Sequence, residues 1–252
     1  MPDLPHGRRP SQAWGSPSWT RPIRERLTPA IKALVIAETL VFAFYRLVPQ
    51  SHAFLAEHVA LGPGLFQGQV WQLGTALFIH TDGLSLILNL IGLWFVGAFT
   101  ERTAGTRRFL LLFFGAGALS NLAIAGVARL GSMQTAELFF GASYAILALF
   151  VAYGRTYAGA QTQILGGLYM QAQNLALLLV GWSLVASLFQ RDWAGVAGTL
   201  TASAVGYFMA GGNLGELARV LRRLWPRRAR RRYQVLEGGQ SRGTGKRQKF
   251  WN

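Results

Sequence analysis

From Phe109 to Val127 the chain runs nineteen residues without a charged side chain, with Arg107 and Arg108 on one flank and Arg129 on the other. As a helix rising about 1.5 Å per residue, such a run spans roughly 28 Å, close to the about 30 Å of a bilayer's hydrocarbon core. Hydrocarbon offers backbone amides no partner, so a segment of this kind has to close its own hydrogen bonds as a helix. Five other apolar stretches follow the same plan: Ile31–Leu47, Leu84–Phe99, Phe139–Tyr153, Leu175–Phe189 and Val196–Ala210. The last three are short enough that hydropathy alone does not separate a span from a buried helix of a soluble protein. Composition favours the membrane, because only 14% of residues are charged, against about 25% in soluble domains. The expectation is an all-α polytopic membrane protein, a six-transmembrane-helix bundle over residues 29–212, between basic tails at 1–28 and 213–252.

Charge placement agrees with six spans. The N-terminal region through Lys32, the 101–108 turn, the segment after Tyr153 and the C-terminal tail then share one side, with 6, 3, 1 and 12 Lys or Arg. The other side holds only Arg46, Arg129 and Arg191. Such an imbalance places the basic side, and both termini, in the cytoplasm, a plan that fits a bacterial inner membrane. The first 28 residues read as a mobile tail rather than a signal peptide, since no short apolar run with a small-residue cleavage pattern opens the chain. In the C-terminal tail, Arg227, Arg228, Arg230, Arg231 and Arg232 lie between Trp225 and Tyr233. That run is expected to bind anionic lipid at roughly 1 kcal/mol per basic residue. RNA or protein partners are the alternative, and no specific nucleic-acid binding is expected. Cysteine is absent, which excludes disulfides and thiolate metal sites, and no metal or cofactor is expected.

Polar side chains inside apolar stretches are the candidate functional groups, because each is costly in hydrocarbon unless it finds a partner. Asn89 sits in the middle of the second stretch, Glu38 in the first and Asn121 in the third. Glu38 is expected to face the bundle. Val48–Val70, broken by Gly, Pro and His, is expected as a loop at the membrane interface.

Trp71-Gln72, His80, Asn89 and the spacing Gly97-x3-Glu101-x3-Gly105 resemble the second transmembrane helix of the rhomboid family, which comprises intramembrane serine proteases and inactive relatives. The resemblance implies that Ser143, in Gly141-Ala142-Ser143, stands at the nucleophile position, at a helix start whose unpaired amides can stabilise an oxyanion. It also implies an oxyanion or polar site at His80, Ser85 and Asn89, and structural roles for Trp71, Gly97, Glu101, Gly105, Gly141, Tyr144, Ala202 and Gly206. Four positions depart from the family. Gln72 stands for arginine, Ser85 for histidine and Tyr144 for the glycine after the serine. Thr199 stands where the catalytic histidine of the sixth helix belongs.

Threonine cannot take up a proton reversibly near neutral pH. The four histidines are at 6, 52, 58 and 80, and no lysine occurs between 33 and 245, so neither a downstream histidine nor a Ser-Lys pair can replace the base. Small residues recur at Gly198, Ala202, Gly206 and Ala210, and at Gly141, Ala145, Ala148 and Ala152. These two stripes allow close helix approach and are expected to face each other. The resemblance therefore implies a pseudoprotease that binds membrane lipids and transmembrane client segments, the clients entering beside the fifth helix. The alternatives are an active serine endopeptidase with His80 as an atypical base, and a small transporter or lipid-binding bundle using Glu38 and Asn121.

Overall fold

The computed structural model describes residues 27–130, 141–163, 169–213 and 215. Residues 1–26, the 131–140 segment with Glu137, and the C-terminal cluster Arg227, Arg228, Arg230, Arg231 and Arg232 lie outside the described residues. The chain divides into residues 1–212 and 213–252, and all the helices and strands named below belong to the first unit.

A helix lies in each of the six apolar stretches. They are α1 (Pro29–Leu47), α4 (Gly83–Ala104), α5 (Thr106–Leu130), α6 (Ser143–Thr156), α7 (Ala172–Phe189) and α8 (Trp193–Met209). A short helix, α2 (Ser51–His58), and a 3-10 turn at Pro63–Gln67 fold the Val48–Val70 stretch expected as an interfacial loop, and a further short helix, α3 (Gln72–Thr75), follows it. A two-stranded antiparallel pair, β1 (Gln161–Gln163) with β2 (Tyr169–Gln171), precedes α7 and qualifies the all-α expectation. Among the described residues, three helices, α4, α5 and α7, are long and apolar enough to cross a membrane. Of the others, α1 carries Lys32, Glu38 and Arg46, while α6 has 14 residues and α8 has 17.

The termini of these helices are set by side chains. Asp82 accepts from the Ser85 amide at 2.7 Å and Asp192 from the Gly195 amide at 2.8 Å, which occupies orphan donors in the first turns of α4 and α8. The first turn of α1 is capped from a distance. Glu101, near the end of α4, accepts from the amides of Ala30 and Ile31 at 3.2 and 3.3 Å and from the hydroxyls of Thr28 and Thr106. Midway, α4 loosens into a π turn at Leu93–Gly97. A Cβ at Gly97 would lie 2.7 Å from Ile31, so glycine lets α1 press on this turn.

One cluster packs Ile31 and Leu34 of α1, Leu93 of α4, Phe109 and Phe113 of α5, Ala145, Ala148 and Leu149 of α6, and Ala202 of α8. The small-residue stripes of α6 and α8 meet within it, since a Cβ at Gly206 would run into the Ala148 carbonyl. Facing away are Ile36 and Leu40 on α1, Ile87 and Leu88 on α4, and Leu177, Leu178 and Trp182 on α7. In water such contiguous apolar faces would be a liability. In lipid they are the solvent-facing surface.

Candidate active site around Ser143

Ser143 is the first residue of α6, and the backbone before it explains why the helix begins four residues later than hydropathy suggests. Gly141 takes a φ of 92°, a conformation that disfavours side chains, and its amide is tied to the Ala76 carbonyl at 3.0 Å. A Cβ at Gly141 would sit 3.5 Å from both Asn89 Nδ2 and His80 Nε2. This glycine turn therefore delivers Ser143 against a polar line inside the bundle.

That line has three members. The Ser143 hydroxyl donates to Asn89 Oδ1 at 3.2 Å, and Asn89 Nδ2 donates to His80 Nε2 at 2.5 Å. Ser143 is exposed, whereas Asn89 and His80 are buried. Accepting at Nε2 requires a neutral ring with its proton on Nδ1. Burial lowers the His80 pKa below its ordinary value, and the Phe78 carbonyl and the charge of Asp82 offset this only in part. The Phe78 carbonyl favours the protonated ring, while Nδ1 has no hydrogen-bond partner.

Thr199 is fully buried but does not join the line. Its hydroxyl donates to the Gly195 carbonyl at 2.9 Å and is paired with the Ser183 hydroxyl of α7 at 2.7 Å. Tyr144 takes the adjacent space. A Cβ at Gly198 would lie 2.9 Å from two carbons of the Tyr144 ring, so the ring fits where glycine leaves room beside Thr199. The Tyr144 side chain thus packs against α8.

The remaining candidates fall outside the line. Ser85 lies in the first turn of α4 with its amide bonded to Asp82, and its side chain makes no link to Asn89 or Ser143. The Trp71 indole donates to the His58 carbonyl at 2.8 Å. Glu101 caps α1, Gly105 ends α4 with a φ of 86°, and Ala202 and Gly206 line the contact of α8 with α6. Asn121 donates to the Leu73 carbonyl at 2.9 Å. Glu38 is fully buried with both carboxyl oxygens unpartnered. No hydrogen bond connects Glu38 and Asn121, the pair a transport site would use.

Two contributors were not singled out by sequence reasoning. Gln72, noted only as a departure from arginine, is fully buried and stitches the loop ahead of α4. It donates to the Glu57 carbonyl at 2.9 Å and to Gln69 Oε1 at 2.8 Å, and accepts from the Gly62 amide at 3.2 Å. Ser183, the partner of Thr199, lies sixteen residues away on another helix, and nothing in its sequence neighbourhood marks it. Among the described residues, no cluster of His, Asp and Glu could hold a metal ion.

A family model described as "Rhomboid domain" matches residues 67–212. The chain is similar to the putative rhomboid protease YdcA of Bacillus subtilis (strain 168), 27% identical over 132 residues, which cover 51% of this chain and 62% of that protein. It is similar to rhomboid-like protein 16, chloroplastic, of Arabidopsis thaliana, 36% identical over 87 residues, or 34% of this chain and 27% of that one. Rhomboid protease GlpG of Enterobacter sp. (strain 638) is 26% identical over 193 residues, 75% of this chain and 64% of the relative. The chain therefore spans under two thirds of the length of these relatives. The family match extends from the loop before α3 through the end of α8 and includes every member of the polar line, and this chain belongs to the rhomboid family.

Proposed function

We propose that this rhomboid-family membrane protein is a pseudoprotease, which holds transmembrane segments of client proteins in the bilayer without cutting them. The observation that carries this reading is the bonding of Thr199. At the position where the family places its proton acceptor, the side chain is tied to Ser183 and to Gly195. The Ser143 hydroxyl has an amide as its hydrogen-bond partner. An amide is a poor base, and loss of the histidine in a serine hydrolase lowers the rate on the order of 10⁶-fold. His80 is separated from Ser143 by Asn89 and receives a hydrogen bond on the nitrogen that would have to act.

In this reading all six long helices cross the membrane, as the charge imbalance of the loops favours, and both termini lie in the cytoplasm of a bacterial cell. The client segment packs beside α7, the least buried of the three helices long and apolar enough to cross a membrane. The arginine run at 227–232 holds the C-terminal tail to anionic lipid.

The test is cleavage of a model transmembrane substrate by purified protein in liposomes, with Ser143→Ala as the blank. The native chain is expected to bind the segment, scored by crosslinking, and to leave it intact. Thr199→His alone is expected to stay silent because Tyr144 occupies the neighbouring space, and Thr199→His with Tyr144→Gly to gain cleavage. Cleavage by the native chain that disappears in Ser143→Ala would overturn the reading and favour the active endopeptidase, for which the line from Ser143 through Asn89 to His80 is the structural argument.

A further inference from the structure

An amide held between two groups that can each donate or accept fits in either of two directions. In the direction observed, Ser143 donates to Asn89 Oδ1 and Asn89 Nδ2 donates to His80 Nε2. This requires a lone pair on Nε2 and leaves the protonated Nδ1 buried without a hydrogen-bond partner. Once the ring takes a second proton, both of its nitrogens are donors. Two N–H groups would then face each other at the 2.5 Å now spanned by the Asn89 to His80 bond, in surroundings where an unpaired polar group is costly. Turning the amide half a revolution about its terminal torsion removes the conflict. Nε2–H then donates to Oδ1, and Nδ2–H points to the Ser143 oxygen. No covalent bond changes, and the net event is uptake of one proton.

We propose that His80 is a positioning residue acting through Asn89, whose protonation turns the amide and replaces the acceptor facing Ser143 by a donor. The chemical consequence falls on ligands. With the oxygen outward, the site accepts the Ser143 hydroxyl proton and offers nothing to a carbonyl. With the nitrogen outward, an N–H and a released O–H converge at the exposed start of α6, where a backbone carbonyl or a carboxylate can take both. The ligand half rests on the reading that Ser143 lines a client-binding opening, whereas the turn of the amide does not.

The surroundings suit a proton switch of this kind. Asp82, two residues along the same loop, is the charged group acting on the ring and favours the proton, as does the Phe78 carbonyl, while burial opposes it. From α4 the ring meets the neutral Asn89, and from the turn before α6 it meets the backbone of Gly141. Glu38, the buried acid of α1, makes no hydrogen bond to it.

The test is a pH titration of the full chain, 15N-labelled and held in bicelles, followed by NMR. His80 signals are assigned with His80→Gln and the Asn89 side-chain amide with Asn89→Ala. At neutral pH the His80 proton is expected on Nδ1, and on acidification the Asn89 amide signals should move with the same midpoint as the ring. They should stay fixed in His80→Gln. A neutral ring protonated on Nε2, or an Asn89 amide that does not move through the ring titration, would overturn the proposal. N-acetyl-leucinamide serves as an uncharged carbonyl probe, expected to bind several-fold more tightly below the midpoint than above it. Equal binding on both sides would overturn the ligand half. Absence of binding at either pH would count against the opening as a client site, while the NMR signals decide the turn of the amide by themselves.

Discussion

Replacing Glu101 by Gln tests how α1 is held to the rest of the bundle. The carboxyl group receives four donors: Ala30 N and Thr106 Oγ1 on Oε1, and Ile31 N and Thr28 Oγ1 on Oε2. Only an acceptor-only carboxylate satisfies all four. Glutamine keeps the shape but turns one oxygen into a donor. A threonine hydroxyl can rotate and accept from it, but a backbone amide cannot. Whichever way the amide sits, one N–H of the first turn of α1 is left unpaired at a site that is 4% exposed. An unsatisfied buried donor costs about 1–3 kcal/mol, and loss of a negative charge at a helix N-terminus adds about 0.3–1 kcal/mol. The expected loss is therefore about 1–4 kcal/mol, a large share of the roughly 5–15 kcal/mol that holds a native domain. Equilibrium unfolding in mixed micelles measures it, with Thr106→Ala, which removes one hydroxyl donor, as a smaller reference near 1 kcal/mol. A Glu101→Gln loss below about 0.5 kcal/mol, no larger than an ordinary surface change, would refute the cap.

Gln72→Leu removes three hydrogen bonds and strands the Gly62 amide and the Glu57 carbonyl, with an expected loss of about 2–4 kcal/mol read as a lower Tm. Gly198→Ala places a Cβ against the Tyr144 ring and should cost about 1–3 kcal/mol as overpacking. Tyr144→Ala should relieve the part owed to the ring and leave the part owed to Ile124 Cδ1, which a Cβ at Gly198 would also meet, so a double-mutant cycle with no coupling would count against this packing. The lowered pKa of His80 means that the unfolded chain protonates first as pH falls. Stability should be full above the ordinary value of 6.5 and decline below it towards the lowered native value, by linkage. A pH series of unfolding midpoints in the native chain and in His80→Gln, where that part of the slope should vanish, measures the contribution.

Much of the helical layout was legible because an uninterrupted apolar run has few alternatives, and the misread boundaries have specific causes. Hydropathy ended the second helix at Phe99 because Glu101 and Arg102 follow. The helix continues to Ala104 because the Glu101 charge is consumed by the first turn of α1. The start of α6 moved to Ser143 because Gly141 adopts a positive φ, which composition does not record. Helix α2 stayed hidden in a segment without apolar periodicity, and the β1–β2 pair in strands of three residues. Within the site, the residue types Ser143, Asn89 and His80 were readable from one stretch and one motif. The direction of their hydrogen bonds was not, because it depends on which nitrogen of a buried ring carries the proton. Ser85 sits in a first turn capped by Asp82, a setting that its place in the motif does not record.

Thr199 joins the structural and functional readings: if, as proposed, it stands where relatives carry a catalytic histidine, the position can either stand idle or acquire another use. An idle residue would tolerate any apolar side chain of similar volume. Thr199 instead ties α8 to α7 through Ser183 and closes a bond to the Gly195 carbonyl in its own helix. Thr199→Val keeps the volume and deletes the hydroxyl, leaving Ser183 without its partner across the helix pair. Interhelical hydrogen bonds in membranes contribute on average about 0.6 kcal/mol and at most about 1.7 kcal/mol, so the loss is expected within that range. Ser183→Ala should lose a similar amount, and the double variant little more than either alone. Additive losses would mean that the two hydroxyls do not act as a pair and that Thr199 is a leftover. Coupled losses would mean that Thr199 and Ser183 tie α8 to α7, so that, on the proposed reading, a histidine placed at this position also breaks a contact of α7, the helix beside which the client is proposed to bind.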